Sequence, residues 1–346
     1  MKIAYIIPSL LPTGPVNVVF DLVKLMTENH HQCTVYYFDN EGQINLPCET
    51  IRIGMSEKID FSLYDVIHSH TFRPVMYVFL HKPLRSNTRF IATIHNYVFD
   101  DLKYVFGRIK GFIYSILFLL FATRQDRLIT LSKDAKEYYK KWFPERKLTY
   151  IYNTRITDKS IVPSEKELEE LRLFRGDGIL IGVNCSIHKR KGLDVLLKSL
   201  QRLPEKFKLY IIGDGPGMTE LQELCHSLKI DPRVRFCGRI QQAYKFLPYY
   251  DIYAIPSRSE GFPLSLLEAA DYGCKVVCSD INIFKECFSD EEVVMFNMPS
   301  DSALADAILK AEHNSSIAIN IQHRFNKDYS PKRFYERHIE EYSLKD

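Results

Sequence analysis

Short runs of apolar and β-branched residues alternate along the chain with segments whose apolar residues recur at helical spacing. This alternation predicts parallel strands joined by crossover helices. In the first half, the predicted strands are residues 2–8, 33–39, 65–70, 90–95, 127–132 and 149–153. In the second half, they are residues 179–184, 209–213, 234–238, 252–256 and 275–280. The pattern is typical of an α/β protein with doubly wound sheets.

A polar and charged segment, residues 154–178, separates the two sets of strands and is interpreted as the linker. A chain of 346 residues is also longer than one hydrophobic core usually spans. We therefore expect two Rossmann-like domains, residues 1–153 and 154–330, facing each other across a ligand cleft. Residues 331–346 are predicted to form a helix that packs back toward the first domain.

Composition and missing motifs exclude several functions. The chain has 46 Lys and Arg against 43 Asp and Glu, too small an excess for a protein that coats nucleic acid. Its eight cysteines include no CxxC pair and no secretory segment follows Met1, so reduced thiols and a cytoplasmic location are expected. Gly14 stands alone after the first strand, without GxGxxG, which disfavours a dinucleotide cofactor. No Asp-x-Asp pair is present, and no metal is expected.

The stretch SRSEGFPLSLLEAADYG, residues 257–273, contains two glutamates, Glu260 and Glu268. It follows a predicted strand, and a helix is predicted from Pro263. Free N–H groups at a helix start, beside Gly261, form an anion site that suits a diphosphate. Glu260 could then bind sugar hydroxyls, and Glu268, ~8 Å further along the axis, those of a ribose. The alternative is that Glu260 caps the helix dipole and Glu268 pairs with a surface lysine.

The same stretch resembles the signature of the GT4 family of retaining glycosyltransferases, in which two glutamates separated by seven residues follow a strand ending in Pro-Ser. The match comprises Pro256-Ser257, residues 260–263, residues 267–269 and Gly273. The resemblance continues through DVIHSH, IATIHN, the KRKG at residues 189–192 and the IIGDGP at residues 211–216. It implies the GT-B fold, an acceptor-binding first domain and a second domain that binds a nucleotide-sugar donor, UDP-linked. It also implies metal-free transfer with retention, in which the departing diphosphate takes the acceptor proton.

The resemblance assigns roles to particular residues. It implies catalytic roles for His95, Lys191 and Glu260. The donor contacts that it implies are Gly14, Arg190, Lys191, Gly213, Glu260, Gly261, Phe262, Leu264 and Glu268. His95 would contact the transferred sugar, and Lys191 would bind the diphosphate as a point charge. Alternatively, His95 is a hydrogen-bonded core residue, as we expect for His68 and His70.

The sequence departs from the family pattern in three places. Ser186 stands where an arginine usually helps to hold the diphosphate, and Arg190 could compensate. Thr13-Gly14-Pro15 replaces a common Gly-Gly, which weakens the assignment of Gly14. INIFKE replaces a glycine-rich loop and leaves the role of Glu286 open.

Residues 108–127 give the main indication of the acceptor. The apolar run 112–122 is too short to span a bilayer, and Arg108, Lys110, Arg124 and Arg127 bracket it. This pattern is typical of an interfacial helix on anionic lipid, although a helix packed in the core is an equal alternative. We expect a glycan or lipid-linked oligosaccharide acceptor at the cytoplasmic face of a membrane, in lipopolysaccharide, O-antigen or capsule synthesis. A soluble acceptor, a sugar-nucleotide epimerase and a catalytically silent homologue remain alternatives.

Overall fold

The computed structural model describes residues 1–39 and 44–344. The chain divides into two compact units, of which the first is Met1–Arg155 with Ser330–Asp346 and the second is Ile156–Tyr329. Most of the segment interpreted as a linker therefore belongs to the second unit.

The first unit contains a parallel sheet with helices on both faces. Its strands are β1 (Lys2–Ser9), β2 (Gln32–Asp39), β3 (Glu49–Arg52), β4 (Val66–His70), β5 (Arg89–Ile94), β6 (Arg127–Thr130) and β7 (Leu148–Tyr150). Its connecting helices are α1 (Gly14–Glu28), α2 (Phe72–His81), α3 (Val98–Phe106), α4 (Arg108–Ala122) and α5 (Lys133–Tyr139). The strand order is β3-β2-β1-β4-β5-β6-β7. In β1, residues 3–7 are all buried, as expected of a central parallel strand covered on both faces.

The second unit repeats this architecture. Its strands are β8 (Ile179–Asn184), β9 (Phe207–Ile212), β10 (Val234–Phe236), β11 (Ile252–Ile255), β12 (Val276–Ser279) and β13 (Val294–Phe296). Its helices are α6 (Glu165–Arg175), α7 (Leu193–Arg202), α8 (Met218–Ser227), α9 (Leu264–Asp271), α10 (Asn282–Cys287), α11 (Asp301–His313) and α12 (Ser316–Arg324). The parallel order β10-β9-β8-β11-β12-β13 is that of a dinucleotide-binding Rossmann sheet. In such a sheet the order reverses between β8 and β11, and ligands bind in the crevice at their carboxyl ends.

The C-terminal helix α13 (Pro331–Ser343) packs on the first unit, against α1. The hydroxyl of Tyr342 lies 2.6 Å from Nδ1 of His68, on β4. Arg127 of β6 donates from Nε to Oε2 of Glu341 at 2.8 Å. The chain thus returns to its N-terminal half through one buried and one partly buried polar contact.

Three elements were not predicted from the sequence. The strand β3 is an edge strand with mostly exposed residues, so it has little apolar pattern. The strand β13 has only three residues. The helix α6 lies inside the segment interpreted as a linker, where the Ser164 hydroxyl caps the N–H of Glu167 and the Glu167 carboxylate accepts from the N–H of Ser164. This capping box is a helix-start signal that the charged composition concealed.

The apolar helix α4 is buried on one face and exposed on the other. Its buried residues are Gly111, Ser115, Phe118, Leu119 and Ala122. Its most exposed apolar residues are Ile109, Phe112, Ile113, Ile116 and Leu120, which are 46–79% exposed. Within residues 1–39 and 44–344, no helix has the length and apolar character needed to cross a bilayer.

Candidate functional site

The loops after β8 and β11 meet at the point where the strand order of the second sheet reverses. A small cavity there, of about 10 Å³, is lined by Asn184, Cys185, Lys191, Pro256, Ser257 and Ser265, with neighbouring strand residues. It therefore joins the end of β8, the turn before α7 and the first turn of α9. Crevices at this position of a doubly wound sheet are the usual place for a ligand.

Glu260 is the buried centre of this region and is only 6% exposed. Its Oε1 accepts a hydrogen bond from Nζ of Lys191 at 2.6 Å and another from Oγ of Ser257 at 2.7 Å. Its Oε2 lies 3.6 Å from Nη1 of Arg190. Two cations and one hydroxyl therefore surround a single carboxylate. Three of the residues assigned from the sequence, Arg190, Lys191 and Glu260, come together here.

These contacts determine the charge of Glu260. Burial acts to raise the pKa of its carboxyl, but the charges of Lys191 and Arg190 outweigh burial, with hydrogen bonds from Lys191 and Ser257. The net effect is a pKa below the ordinary value, so Glu260 is a buried anion at neutral pH. A buried anion with close cations can accept hydrogen bonds from sugar hydroxyls, and the cations can also contact phosphate.

Lys191 owes its position to the residue after it. Residues 189–191 form one turn of 3-10 helix, and Gly192 ends it with φ of 67° and ψ of 21°, a left-handed conformation. A Cβ at Gly192 would lie 1.9 Å from the carbonyl oxygen of Pro256. Only glycine allows this loop to approach the end of β11 so closely, and that approach brings Lys191 to Glu260.

Arg258 connects the two loops. Its guanidinium forms two hydrogen bonds with the carboxylate of Asp194, of 2.8 and 2.7 Å, and one of 2.6 Å with the carbonyl of Lys189. Its backbone N–H donates to the carbonyl of Arg190 at 2.8 Å. Burial acts to raise the pKa of Asp194, but hydrogen bonds from Arg258 and its charge lower it overall. The bidentate pair holds the Lys189–Lys191 turn against the loop that contains Glu260.

The loop after β9 packs against the loop after β8. Gly213 has φ of 150°, and a Cβ there would lie 1.8 Å from the carbonyl oxygen of Cys185. Ser186 is exposed and contacts only the carbonyl of Asp214 in this network, at 3.4 Å. Gly213 therefore has a packing reason to be glycine, and its contact with a donor stays a prediction. Burial raises the pKa of the Cys185 thiol to about 11, so this residue is a neutral thiol.

The helix α9 begins one residue later than the sequence predicted. Pro263 has φ of −83° and ψ of 94°, which is extended, so it is the N-cap and Leu264 is the first helical residue. The N–H groups of Leu264 and Ser265 have no partner within the helix, because no carbonyl lies four residues before them in it. Phe262 is buried, with its ring 6.3 Å from that of Tyr329.

Glu268 and Glu286 lie on helices beside this region. Glu268 is a partly exposed residue of α9, and its neighbours in sequence, Leu267 and Ala269, are buried. Its negative charge acts to raise the pKa of Tyr253, whose main cause of elevation is burial. Glu286 lies on the short helix α10, and its role stays open.

Gly14 and His95 belong to the first unit. Gly14 begins α1, and a Cβ there would meet nothing within 4 Å, so its backbone does not require glycine. Nε2 of His95 lies 3.0 Å from Nδ1 of His70, which is buried. Burial lowers the pKa of His95 to about 3, so the ring is neutral. His95 is partly exposed and bonds to a buried histidine. Its contact with a sugar stays a prediction.

Sequence reasoning missed several residues of this region. Ser257 was quoted only as part of the Pro-Ser pair, and Arg258 and Asp194 were not assigned. In the first unit, Thr71 follows β4 with φ of 75°, a conformation that strains a β-branched residue. No sequence signal marks such a residue. In the described part of the chain, no three His, Cys, Asp or Glu side chains are grouped as ligands of a metal ion would be.

Comparison with known proteins places the chain in a family. The sequence model of "Glycosyl transferases group 1" matches residues 164–329, and that of "Glycosyltransferase Family 4" matches residues 50–159. The O-antigen biosynthesis glycosyltransferase WclY of Escherichia coli is 34% identical over 324 residues, which cover 91% of this chain and 90% of that protein.

Solved structures share the fold. The crystal structure of Anabaena Alr3699/HepE in complex with UDP-glucose superposes with a TM-score of 0.83 at 18% identity and covers 99% of each chain. WaaG, a glycosyltransferase involved in lipopolysaccharide biosynthesis, superposes with a TM-score of 0.72 at 16% identity, over 97% of this chain and 99% of that one. These matches do not favour an epimerase or a silent homologue. The chain belongs to the family 4 glycosyltransferases and has their GT-B fold of two Rossmann-like domains.

Proposed function

We propose that this glycosyltransferase transfers a hexose or N-acetylhexosamine from a UDP-linked donor to a glycan or lipid-linked glycan, with retention and without a metal ion. The observation that carries the proposal is the arrangement at the carboxyl ends of β8 and β11, where Lys191 contacts the buried carboxylate of Glu260 next to the first turn of α9. Positive charge, helix N–H groups and a buried carboxylate are the groups that a sugar diphosphate requires.

Each group has a role in the proposed reaction. Lys191 and Arg190 bind the diphosphate and stabilise the charge that develops as it leaves. The N–H groups of Leu264 and Ser265 lie at the positive end of the α9 helix dipole and also stabilise this negative charge. Glu260 accepts hydrogen bonds from hydroxyls of the transferred sugar, and Glu268 accepts those of the ribose. The departing diphosphate oxygen takes the acceptor proton, so no protein base is needed.

The relatives support a role in surface polysaccharide synthesis. WclY is named for O-antigen biosynthesis, and WaaG for lipopolysaccharide biosynthesis. Alr3699/HepE was crystallised with UDP and with UDP-glucose. We therefore propose a UDP-sugar donor and an acceptor that is a growing surface glycan. In this proposal the first unit binds the acceptor, and His95 contacts the transferred sugar.

The donor assignment is tested with a panel of nucleotide sugars. We expect one UDP-sugar to raise the melting temperature most and to be slowly hydrolysed, with release of UDP that EDTA does not prevent. NMR of the transfer product should show the anomeric configuration of the donor. Transfer that EDTA abolishes and magnesium restores would contradict the metal-free reaction, and an inverted product would contradict retention.

The two glutamates are tested separately by substitution. Glu268→Ala should weaken binding of UDP, because hydrogen bonds to a charged group are worth ~1.5 to 3 kcal/mol each. Glu260→Ala should reduce turnover and change sugar preference more than it changes affinity for UDP. Equal losses of affinity for UDP in both variants would contradict this division. Lys191→Arg should retain more turnover than Lys191→Ala, since a positive charge is retained.

We also propose that the first unit contacts the cytoplasmic face of an anionic membrane through α4. The most exposed apolar side chains recur at residues 109, 112, 113, 116 and 120, which places them on one stripe of the helix. Arg108 and Lys110 are exposed at its first turn. The other expected cations are occupied, because Arg124 donates to backbone carbonyls and Arg127 pairs with Glu341. Of the four cations expected to bracket the helix, Arg108 and Lys110 are therefore the two that we propose contact the headgroups.

Vesicle co-sedimentation tests the membrane contact. Wild-type protein should pellet with anionic vesicles and be partly released by salt, and each headgroup contact is worth about 1 kcal/mol. The double variant Arg108→Glu, Lys110→Glu and the variant Phe112→Ser should both pellet less. Leu173→Ser is the matched control, since Leu173 is an exposed leucine of α6, 76% exposed, outside the stripe. Wild-type protein that does not pellet with anionic vesicles would contradict the proposal.

A further inference from the structure

Glu260 is held by two kinds of hydrogen-bond donor. Lys191 and Arg190 are cations, and the proposed function requires the same two residues to bind the diphosphate. Ser257 is neutral, and its hydroxyl donates to the same Oε1 that Lys191 contacts. Only the cations are attracted to an incoming phosphate. The neutral hydroxyl is not drawn to the phosphates by charge, so we expect it to stay bonded to the carboxylate when the donor binds.

Ser257 is itself fixed in place. It is 1% exposed and lies two residues after the end of β11. Its carbonyl accepts a 2.5 Å hydrogen bond from Oγ of Ser279, which is fully buried at the end of the neighbouring strand β12. The two sheet strands therefore set the position of the hydroxyl. A group that is locked by packing and a second hydrogen bond is well suited to orient another side chain.

We propose that Ser257 is a positioning residue that keeps the Glu260 carboxylate in place for the sugar while Lys191 and Arg190 engage the diphosphate. This inference rests on the proposed donor site. Without the hydroxyl, Oε1 would depend on Lys191 alone and would lose this hydrogen bond when Lys191 turns to the phosphates. Glu260 would then be displaced in the donor complex, although the protein without donor would keep its ion pairs.

The proposal separates binding of the nucleotide from turnover. Ser257→Ala should leave the Kd for UDP within about twofold, because the cations and the helix N–H groups remain. Its kcat should fall by roughly 10- to 100-fold, the range expected for a lost hydrogen bond to a charged group. Ser257→Thr keeps a hydroxyl and should restore most of the rate. Ser199→Ala is the matched control, since Ser199 is fully buried in the same unit and its hydroxyl donates within α7, to the Leu196 carbonyl at 2.8 Å.

The experiment measures kcat and the Kd for UDP in the wild type, Ser257→Ala, Ser257→Thr and Ser199→Ala. A second readout is the pKa of the Glu260 carboxyl from ¹³C NMR of glutamate-labelled protein, which Ser257→Ala should raise because a donor to the charged form is lost. An unchanged kcat, an equal loss of kcat and UDP affinity, or an unchanged carboxyl pKa would overturn the proposal. Failure of the proposed function would be visible separately, as wild-type protein that binds no UDP, while the NMR readout would still test the contact of Ser257.

Discussion

The ion pair between Lys191 and Glu260 should be strongly coupled energetically, because both side chains are removed from solvent. Lys191 is 17% exposed and Glu260 is 5% exposed at their side chains, and the two charged atoms are 2.6 Å apart. Removing one partner of a buried pair leaves an uncompensated charge and typically costs ~3 to 5 kcal/mol. Here Ser257 and Arg190 still contact the carboxylate, so Lys191→Met should cost less, about 2 to 3 kcal/mol. Glu260→Gln should cost about 1 to 2 kcal/mol, because the lysine can turn toward water.

The double variant Lys191→Met, Glu260→Gln should be less destabilised than the sum of the two single variants. We expect a coupling free energy of at least ~1 kcal/mol. A matched control exists in the same unit, where Lys206 and Glu312 form a lysine–glutamate pair of the same length, 2.6 Å, with Lys206 50% exposed. An exposed pair of this kind is worth ~0 to 1 kcal/mol. The control cycle should therefore give a smaller coupling.

The measurement is the free energy of unfolding in urea, monitored by hydrogen exchange on peptides of the second unit. The protein has one tryptophan, Trp142, in the first unit, so its fluorescence reports a different part of the chain. A coupling between Lys191 and Glu260 no larger than that between Lys206 and Glu312 would refute the reasoning. The lowered pKa of Glu260 also predicts the direction in which stability changes with pH. It is lowered in the folded state, so its contribution to stability is present above the unfolded pKa and is lost as pH falls through the folded value.

Two further predictions concern the fold. Gly192→Ala should destabilise the second unit by more than ~2 kcal/mol and reduce UDP binding, because its Cβ would lie 1.9 Å from the Pro256 carbonyl oxygen. Thermal melting measures the loss of stability. Gly14→Ala is the control for this measurement, because a Cβ at Gly14 would meet nothing within 4 Å. The first unit should lose stability as pH falls below ~6.5, since burial lowers the pKa of His95 to about 3 and of His338 to about 4. Each histidine should contribute a slope of up to ~1.4 kcal/mol per pH unit in urea titrations between pH 6.5 and 4.5, and a flat profile of Trp142 fluorescence midpoints would contradict this.

The sequence was sufficient to locate most strands, because strands of a doubly wound sheet are buried on both faces and read as continuous apolar runs. It failed for β3, whose residues are largely exposed, and for the three-residue β13. It also failed for α6, whose charged residues resemble a linker. Helices and strands that contribute little to a core leave little apolar pattern to detect.

The candidate site also has features that the sequence predicts and features that it does not. The signature assigned both Lys191 and Glu260 to the donor site, and the structure places their side chains in contact, because both lie in loops that follow strands at the carboxyl end of one sheet. It assigned them separate ligands and did not indicate their ion pair, since pairing depends on how closely two loops approach. That approach depends on Gly192 and on the bond from Arg258 to Asp194, which are contacts between residues distant in sequence. Ser257 was missed for a related reason: a serine is common after a strand, and only its neighbours give it a role.

A crystal structure of the protein with UDP tests the central claim most directly. The account predicts electron density for the diphosphate against Nζ of Lys191 and the N–H groups of Leu264 and Ser265, with the ribose hydroxyls on Glu268. It also predicts that Ser257 still donates to Glu260 in the complex. A nucleotide whose phosphates bind away from Lys191 and the start of α9 would contradict the account.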